Sequence, residues 1–184
     1  MFDGTPDRAP GPRVEGVAAV RRAPYGGGMS TTVPVRLATP EDAGVLGQML
    51  FDFNVEFEAP TDEADEFASR FEGLLARDGE VFALLSGQAD PTGFALVTLR
   101  HTPYFDGPLA QLEELYVVPH LRDQGIGTAL LTTALDTVRE LDAGEMHINV
   151  DEIDLDTRRF YERHGFVNVE PGTDYRMLCY LRPL

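Results

Sequence analysis

The sequence predicts a mixed α/β domain in the order β-α-α-β-β-β-α-β-α-β-β, built on a central mixed sheet. Three observations carry that prediction. The spacing of apolar residues switches several times between a period of two and a period near 3.6. Three strand-like runs, EVFALLS (80–86), TGFALVTLR (92–100) and LAQLEELYVV (109–118), follow one another across the short links GQADP and TPYFDGP, as in an antiparallel meander. A strand then gives way to a helix at a glycine-bearing loop, LRDQGIGTALL (121–131). A chain of 184 residues with 43% hydrophobic side chains can bury one real core.

The elements follow in order. Residues 1–29 are rich in Pro, Gly, Ala and Arg without periodicity and read as a disordered extension, with Met29 as a candidate natural start; residues 30–184 form the domain. VPVRLA (33–38) alternates as a first strand. Thr39 before Pro40, Glu41 and Asp42 is a helix start, and Val45, Leu46, Met49, Leu50, Phe53 and Phe57 continue it. Pro60 breaks that helix. Thr61-Asp62-Glu63 opens a second one, with Phe67, Phe71, Leu74 and Leu75 on one face, ended by Gly79. After the meander, Ile126, Leu130, Ala134, Val138 and Leu141 define a helix to about Asp142. EMHINVDE (145–152) is a strand, and residues 156–164 form a short helix that Gly165 can cap. Residues 166–169 and 175–181 form a closing hairpin around PGTD, with Cys179 as a core residue in its last strand.

Composition excludes several classes. The 31 acidic residues outnumber 15 basic ones, all Arg, for a net charge of −16. A nucleic-acid binder needs the opposite sign to displace condensed counterions, whereas this field attracts cations, a protonated amine among them. No apolar run reaches the length of a membrane span, and the N-terminus shows no apolar signal-peptide core, so the cytoplasm is the expected location. A single cysteine leaves no internal disulfide and no cysteine-rich zinc site. The histidines at 101, 120, 147 and 164 form no helix-face metal pair, so no metal is expected.

The glycine loop lacks the Gly-Lys-Ser/Thr of a phosphate loop, and Leu130 stands where a dinucleotide fingerprint needs its third glycine. A loop opening a helix still offers unpaired N–H groups and a positive dipole end, which suit a pyrophosphate. Gly125 and Gly127 let backbone approach closely, Arg122 adds charge, and Thr128 adds a hydroxyl.

Leu115-Tyr116-Val117-Val118-Pro119 followed by Arg122-Asp123-Gln124-Gly125-Ile126-Gly127 resembles the signature of the GNAT superfamily of acetyl-CoA-dependent N-acetyltransferases, an Arg/Gln-x-x-Gly-x-Gly/Ala loop after a Leu-x-Val-x-Pro strand. Arg159-Phe160-Tyr161-Glu162-Arg163-His164-Gly165-Phe166 resembles the FYxxxGF block of the same superfamily, at the right separation. The resemblance spans about residues 33–182. It implies the acyl-CoA N-acyltransferase fold with a splayed sheet. It also implies acetyl-CoA as co-substrate, its pyrophosphate on residues 122–128 and its pantetheine arm along Leu115, Tyr116 and Val117, with an oxyanion-stabilising N–H there. Asp154 and Arg158 fall beside the cofactor arm. Much of the family has Asn at the first of these positions, and an ionised Asp accepts but cannot donate.

Transfer from a thioester to an amine requires removal of a proton from the ammonium, stabilisation of the oxyanion and a proton for the departing thiolate. The resemblance gives Tyr161 the last role. Glu113 and Glu114 are the candidate bases; as neighbours on a strand they point to opposite faces, and the match to polyamine acetyltransferases places Glu113 nearest the acetyl group. The acidic and aromatic stretch 52–67 supplies a substrate wall in which Asn54, Glu56 and Glu58 can select a cationic amine, with Asp151 and Glu152 at the end of a second strand. Direct acetylation of a small cationic amine is the leading expectation, and a homodimer is compatible with the family. The alternatives are acetylation of a protein or peptide, and a CoA-binding module with little catalysis.

Overall fold

The computed structural model describes residues 33–169 and 172–183. The expectations for residues 1–29 lie outside them. The chain falls into two compact units, one ending at Met146 and one starting at His147.

The first unit begins with β1 (Val35–Leu37). A 3-10 turn over Pro40–Asp42 leads into α1 (Ala43–Glu56). The Thr39 amide donates to the Asp42 carboxylate at 2.8 Å, and Arg36 grips that carboxylate with two N–H groups at 2.7 Å each. The Arg36 guanidinium is the largest reason that the Asp42 carboxyl falls to about 2. Helix α2 (Ala64–Leu75) crosses α1 at small residues. A Cβ at Gly47 would lie 2.5 Å from the Ala68 nitrogen and 2.6 Å from the Ala64 carbonyl oxygen, so the two backbones touch there. The second helix thus starts three residues after the sequence cue at Thr61, once the chain has left the turn around Pro60.

The meander is present as expected: β2 (Val81–Ser86), β3 (Gly93–Arg100) and β4 (Leu109–Val117) pair antiparallel, with β1 antiparallel to β2. Helix α3 (Ile126–Glu140) follows, then β5 (Glu145–Ile148), and the sheet order is β1-β2-β3-β4-β5. Alternation sorts the strand residues. Ala83, Leu85, Phe94, Leu96 and Tyr116 pack with Leu46, Met49 and Phe71 of the α1–α2 pair. The intervening Leu84, Ala95 and Val97, also fully buried, belong to the other face, where α3 lies against β2, β3 and β4 with Leu130, Leu131 and Ala134. Covering both faces explains why β2 and β3 read as continuous apolar runs and not as alternating ones.

In the second unit α4 (Leu155–Arg163) is capped at both ends. The Asp154 carboxylate accepts from the Thr157 amide at 3.1 Å. At the other end Gly165, at φ +88°, donates to the Glu162 carbonyl at 3.1 Å, and Phe166 donates to the Tyr161 carbonyl at 3.1 Å. This is a Schellman motif, and its accompanying apolar contact is the edge-on packing of Tyr161 on Phe166 at 5.5 Å between ring centres.

Three expectations need correction. The strand over 145–152 stops at Ile148. Among the described residues the closing hairpin shows no strand, only the bridge of Val169 with Arg176, beside which the Met177 amide donates to the Asn168 carbonyl at 2.7 Å. Residues 177–183 carry no strand pairing, and Cys179 is exposed, not buried. β-Branched and aromatic residues alone do not make a strand when no partner edge takes up its hydrogen bonds.

Candidate active site

The glycine loop runs from the end of β4 through a 3-10 turn at Pro119–Leu121 to α3. Asp123 at φ +59° and Gly125 at φ +82° both have backbone φ in the left-handed region. Gly125 is the N-cap residue, and a Cβ on it would meet no heavy atom within 4 Å. Glycine is therefore required here by its backbone angle and not by a protein neighbour. The first helical hydrogen bond runs from the Ala129 amide to the Gly125 carbonyl at 2.9 Å. Among the described residues no carbonyl accepts from the amides of Asp123, Gln124, Gly125, Ile126, Gly127 or Thr128. These donors stand at the positive end of a 15-residue helix, a setting suited to an anion.

The backbone of β4 presents a second set of groups. The Val118 amide donates to the Thr92 carbonyl at 3.0 Å, so the main-chain groups of Tyr116 also face β3. Those of Leu115 and Val117 then face the opposite edge of the strand. The Val117 carbonyl there accepts from Arg122 Nε at 3.0 Å.

The strand also contains a feature that strict alternation misses. Leu96 pairs with Glu114, and the next residue, Val97, pairs with Leu112, which leaves Glu113 as an extra, unpaired residue. This β-bulge turns Leu112 toward the α3 face with Val97, while Glu114 joins Leu96 and Tyr116 on the α1–α2 face. A regular strand would put residues 112 and 114 on the same side. Glu113 is exposed and accepts a hydrogen bond from the Thr98 hydroxyl at 2.5 Å. Glu114 is largely withdrawn from water. Burial, reinforced by the Glu113 charge, pushes its carboxyl from 4.5 up to about 7.

The α1–α2 face around Tyr116 is aromatic and acidic. Tyr116 packs edge-on to Phe53 at 5.7 Å, and Phe53 meets the more exposed Phe57 at 4.9 Å. Burial first, then the negative charges of Glu56 and Asp52, raises the Tyr116 hydroxyl above its usual range. Glu56 itself, expected in the substrate wall, receives Arg122 Nη1 and Nη2 at 2.6 Å and 2.7 Å. The Arg122 guanidinium also lies 5.9 Å from the Tyr116 ring centre. Asn54 donates weakly to the Thr61 hydroxyl at 3.5 Å, and its carbonyl accepts the Ala59 amide at 2.9 Å, so it shapes the turn after α1. Glu58 is exposed in the left-handed region at φ +52°.

In the second unit Tyr161 is buried on α4 between Phe160 and Phe166. Arg158 Nη1 donates to the Glu152 carbonyl at 3.0 Å, and the Glu152 carboxylate pairs with Arg176. Asp151 is exposed. Asp154 uses one carboxylate oxygen as the cap of α4, a task Asn would perform equally well. Among the described residues no group of three or more His, Cys, Asp or Glu is arranged to hold a metal ion, and no helix is long and apolar enough to cross a membrane.

A sheet that leads from a bulged strand into a helix start with open amides, with a largely buried acid on the bulged strand, is suited to holding an anionic co-substrate beside a proton acceptor. Comparison with known proteins agrees. Residues 47–166 match the acetyltransferase (GNAT) family, and the chain belongs to that family; it is an acyltransferase enzyme, and acetyl-CoA is the family's co-substrate. An aminoglycoside N(6')-acetyltransferase type 1 of Stenotrophomonas maltophilia is 28% identical over 147 residues, which cover 78% of this chain and 92% of that protein. The crystal structure of an acetyltransferase candidate from Arthrobacter sp. FB24 is 45% identical, with a TM-score of 0.78 over 86% of this chain and 100% of its own. An aminoglycoside acetyltransferase from an uncultured soil metagenomic sample, solved with sisomicin, superposes with a TM-score of 0.67 at 18% identity, over 83% of this chain and 97% of its own, and shares the fold.

Proposed function

We propose that this enzyme transfers the acetyl group of acetyl-CoA to a primary amine of a small polycationic compound of the aminoglycoside type. The observation that carries this reading is the set of unpaired amides at residues 123–128, placed at the end of the strand that carries the half-buried acid Glu114. The amides bind the diphosphate, and the thioester carbonyl lies along the edge of β4 that Leu115 and Val117 face. Acetyl-CoA supplies the activated acyl group. Glu114 takes the proton from the substrate ammonium, a task suited to a carboxyl that titrates near neutrality. A main-chain N–H of Leu115 or Val117 stabilises the negative charge that develops on the carbonyl oxygen. The neutral amine attacks the carbonyl carbon and the carbon–sulfur bond breaks; the family motif at residues 159–166 assigns Tyr161 the proton for the departing sulfur, and the second proton lost by the amine nitrogen as the amide forms restores the phenol.

The choice of amine is supported by the negative field of the Asp52–Glu58 segment, which flanks the face carrying Glu114 and Tyr116, and by the curated relative that acts on aminoglycosides. The test is thiol release from acetyl-CoA in the presence of sisomicin, a linear polyamine, or a peptide with a free N-terminal alanine. Stimulation by sisomicin or the polyamine supports the small-amine reading. Stimulation by the peptide alone would replace it with protein acetylation. No stimulation by any amine, with acetyl-CoA still bound, would leave only a binding module.

A further inference from the structure

We infer that Glu56 is a positioning residue for the cofactor loop: it locks the Arg122 guanidinium, so that the loop's main-chain amides, not that guanidinium, carry the diphosphate. The inference rests on the reading of this loop as the acetyl-CoA site. Arg122 would otherwise be taken for a direct phosphate ligand, and Glu56 for part of the amine wall.

All three guanidinium nitrogens are engaged. Nη1 and Nη2 meet the two Glu56 oxygens at 2.6 Å and 2.7 Å, and Nε meets the Val117 carbonyl at 3.0 Å. This is the parallel two-bond geometry that arginine makes best with a carboxylate. The Glu56 side chain is 28% exposed and the Arg122 side chain 37%, so the pair is partly shielded. A cation matched by a carboxylate at that distance presents a dipole, not a free charge, to an incoming anion. The adjacent Asp123 carboxylate also acts on the guanidinium, which makes the local side-chain charge negative. The attraction for a diphosphate therefore comes from the amides of residues 123–128 and the α3 dipole.

The pair's connections indicate what it does instead. Glu56 closes α1, and Arg122 stands at the start of the loop, 66 positions later. Nε fastens the same arginine to the last residue of β4. One side chain thus clamps three elements, the end of α1, the end of β4 and the turn before Gly125. The left-handed angles at Asp123 and Gly125 that aim the amides are set directly after this clamp.

The two roles predict opposite signs for one substitution. Glu56→Gln unmasks the guanidinium and loosens the clamp. If Arg122 were a phosphate ligand held back by Glu56, coenzyme A would bind more tightly. If Arg122 is a clamp, coenzyme A binds more weakly, by about five-fold for loss of a partly exposed, charge-assisted pair. The experiment is calorimetric titration of coenzyme A into the full chain, with wild type, Glu56→Gln, Arg122→Gln, Arg122→Lys and the Glu56→Gln/Arg122→Gln double variant, together with their melting temperatures. A clamp gives similar losses in all three single variants and no added loss in the double variant, since each removes the same contact. Arg122→Lys is informative because it keeps the charge and loses the fork. Tighter binding in Glu56→Gln, or near wild-type binding in Arg122→Lys beside a large loss in Arg122→Gln, would overturn the inference. So would a lowered melting temperature with unchanged affinity, which reduces the pair to a stability contact. Absence of heat with the wild-type protein would instead remove the acetyl-CoA reading itself.

Discussion

The Glu114 carboxyl makes a prediction that needs no substrate. Its titration is raised from 4.5 to about 7 by burial and by Glu113. An acid whose folded-state value lies above its unfolded value favours the fold when protonated. Its contribution is therefore greatest below the unfolded value and is lost as pH rises from 4.5 through about 7, after which the cost stays constant. Between about pH 5 and about pH 8.5 the two values give a growing penalty of about 2.5 kcal/mol in wild type, at 1.36 kcal/mol per unit. Glu114→Gln keeps the shape and removes the charge. Its melting temperature relative to wild type should therefore climb by about 5–10 °C across that interval, for a domain of this size. The assay is thermal unfolding of both proteins in matched buffers at several pH values. Glu113→Gln should reduce the slope, because it removes the second cause of the shift. A difference between Glu114→Gln and wild type that stays flat from pH 5 to 8.5 would refute the claim that this carboxyl is desolvated, and would take away its suitability as a base.

Three further outcomes follow from single side chains. Gly125→Ala forces a Cβ into the left-handed region at φ +82°, at a cost of about 1–2 kcal/mol; since no protein atom lies within 4 Å of that Cβ, the loss of coenzyme A affinity in calorimetry should exceed what the modest drop in melting temperature suggests. Gly47→Ala places a Cβ 2.5 Å from the Ala68 backbone nitrogen, so α1 and α2 must separate, with a loss of about 2 kcal/mol or more in denaturant unfolding; an unchanged midpoint would contradict the close crossing. Tyr161→Phe should keep the packing on Phe166 and lower turnover by about 100-fold or more with little change in the KM for acetyl-CoA, and an unchanged kcat would remove its role as an acid.

The local parts of this enzyme were legible in the order of its residues. Thr39 to Asp42 makes a reciprocal cap, Gly125 turns the chain at a helix start, and Gly165 with Phe166 ends the last helix while packing on Tyr161. Each depends on partners within about six residues, so short-range stereochemistry suffices to predict it. The meander was legible for a similar reason, since its links are short. The closing hairpin was not, because strand-like residues at 175–181 say nothing about whether an edge is there to pair with them.

What only the tertiary structure decided lies where distant segments meet. The bulge at Glu113 is set by the pairing of β4 with β3, and it turns Leu112 to the face opposite Glu114. The raised titration of Glu114 comes first from its burial, which only the folded chain provides, and second from its sequence neighbour Glu113. The pairing of Glu56 with Arg122 joins residues 66 positions apart, and changes an arginine that reads as a free phosphate ligand into one whose charge is already met. The sequence by itself specified the chemical groups and the turns that carry them; packing decided their solvation and their partners, which set the charge each presents to a ligand.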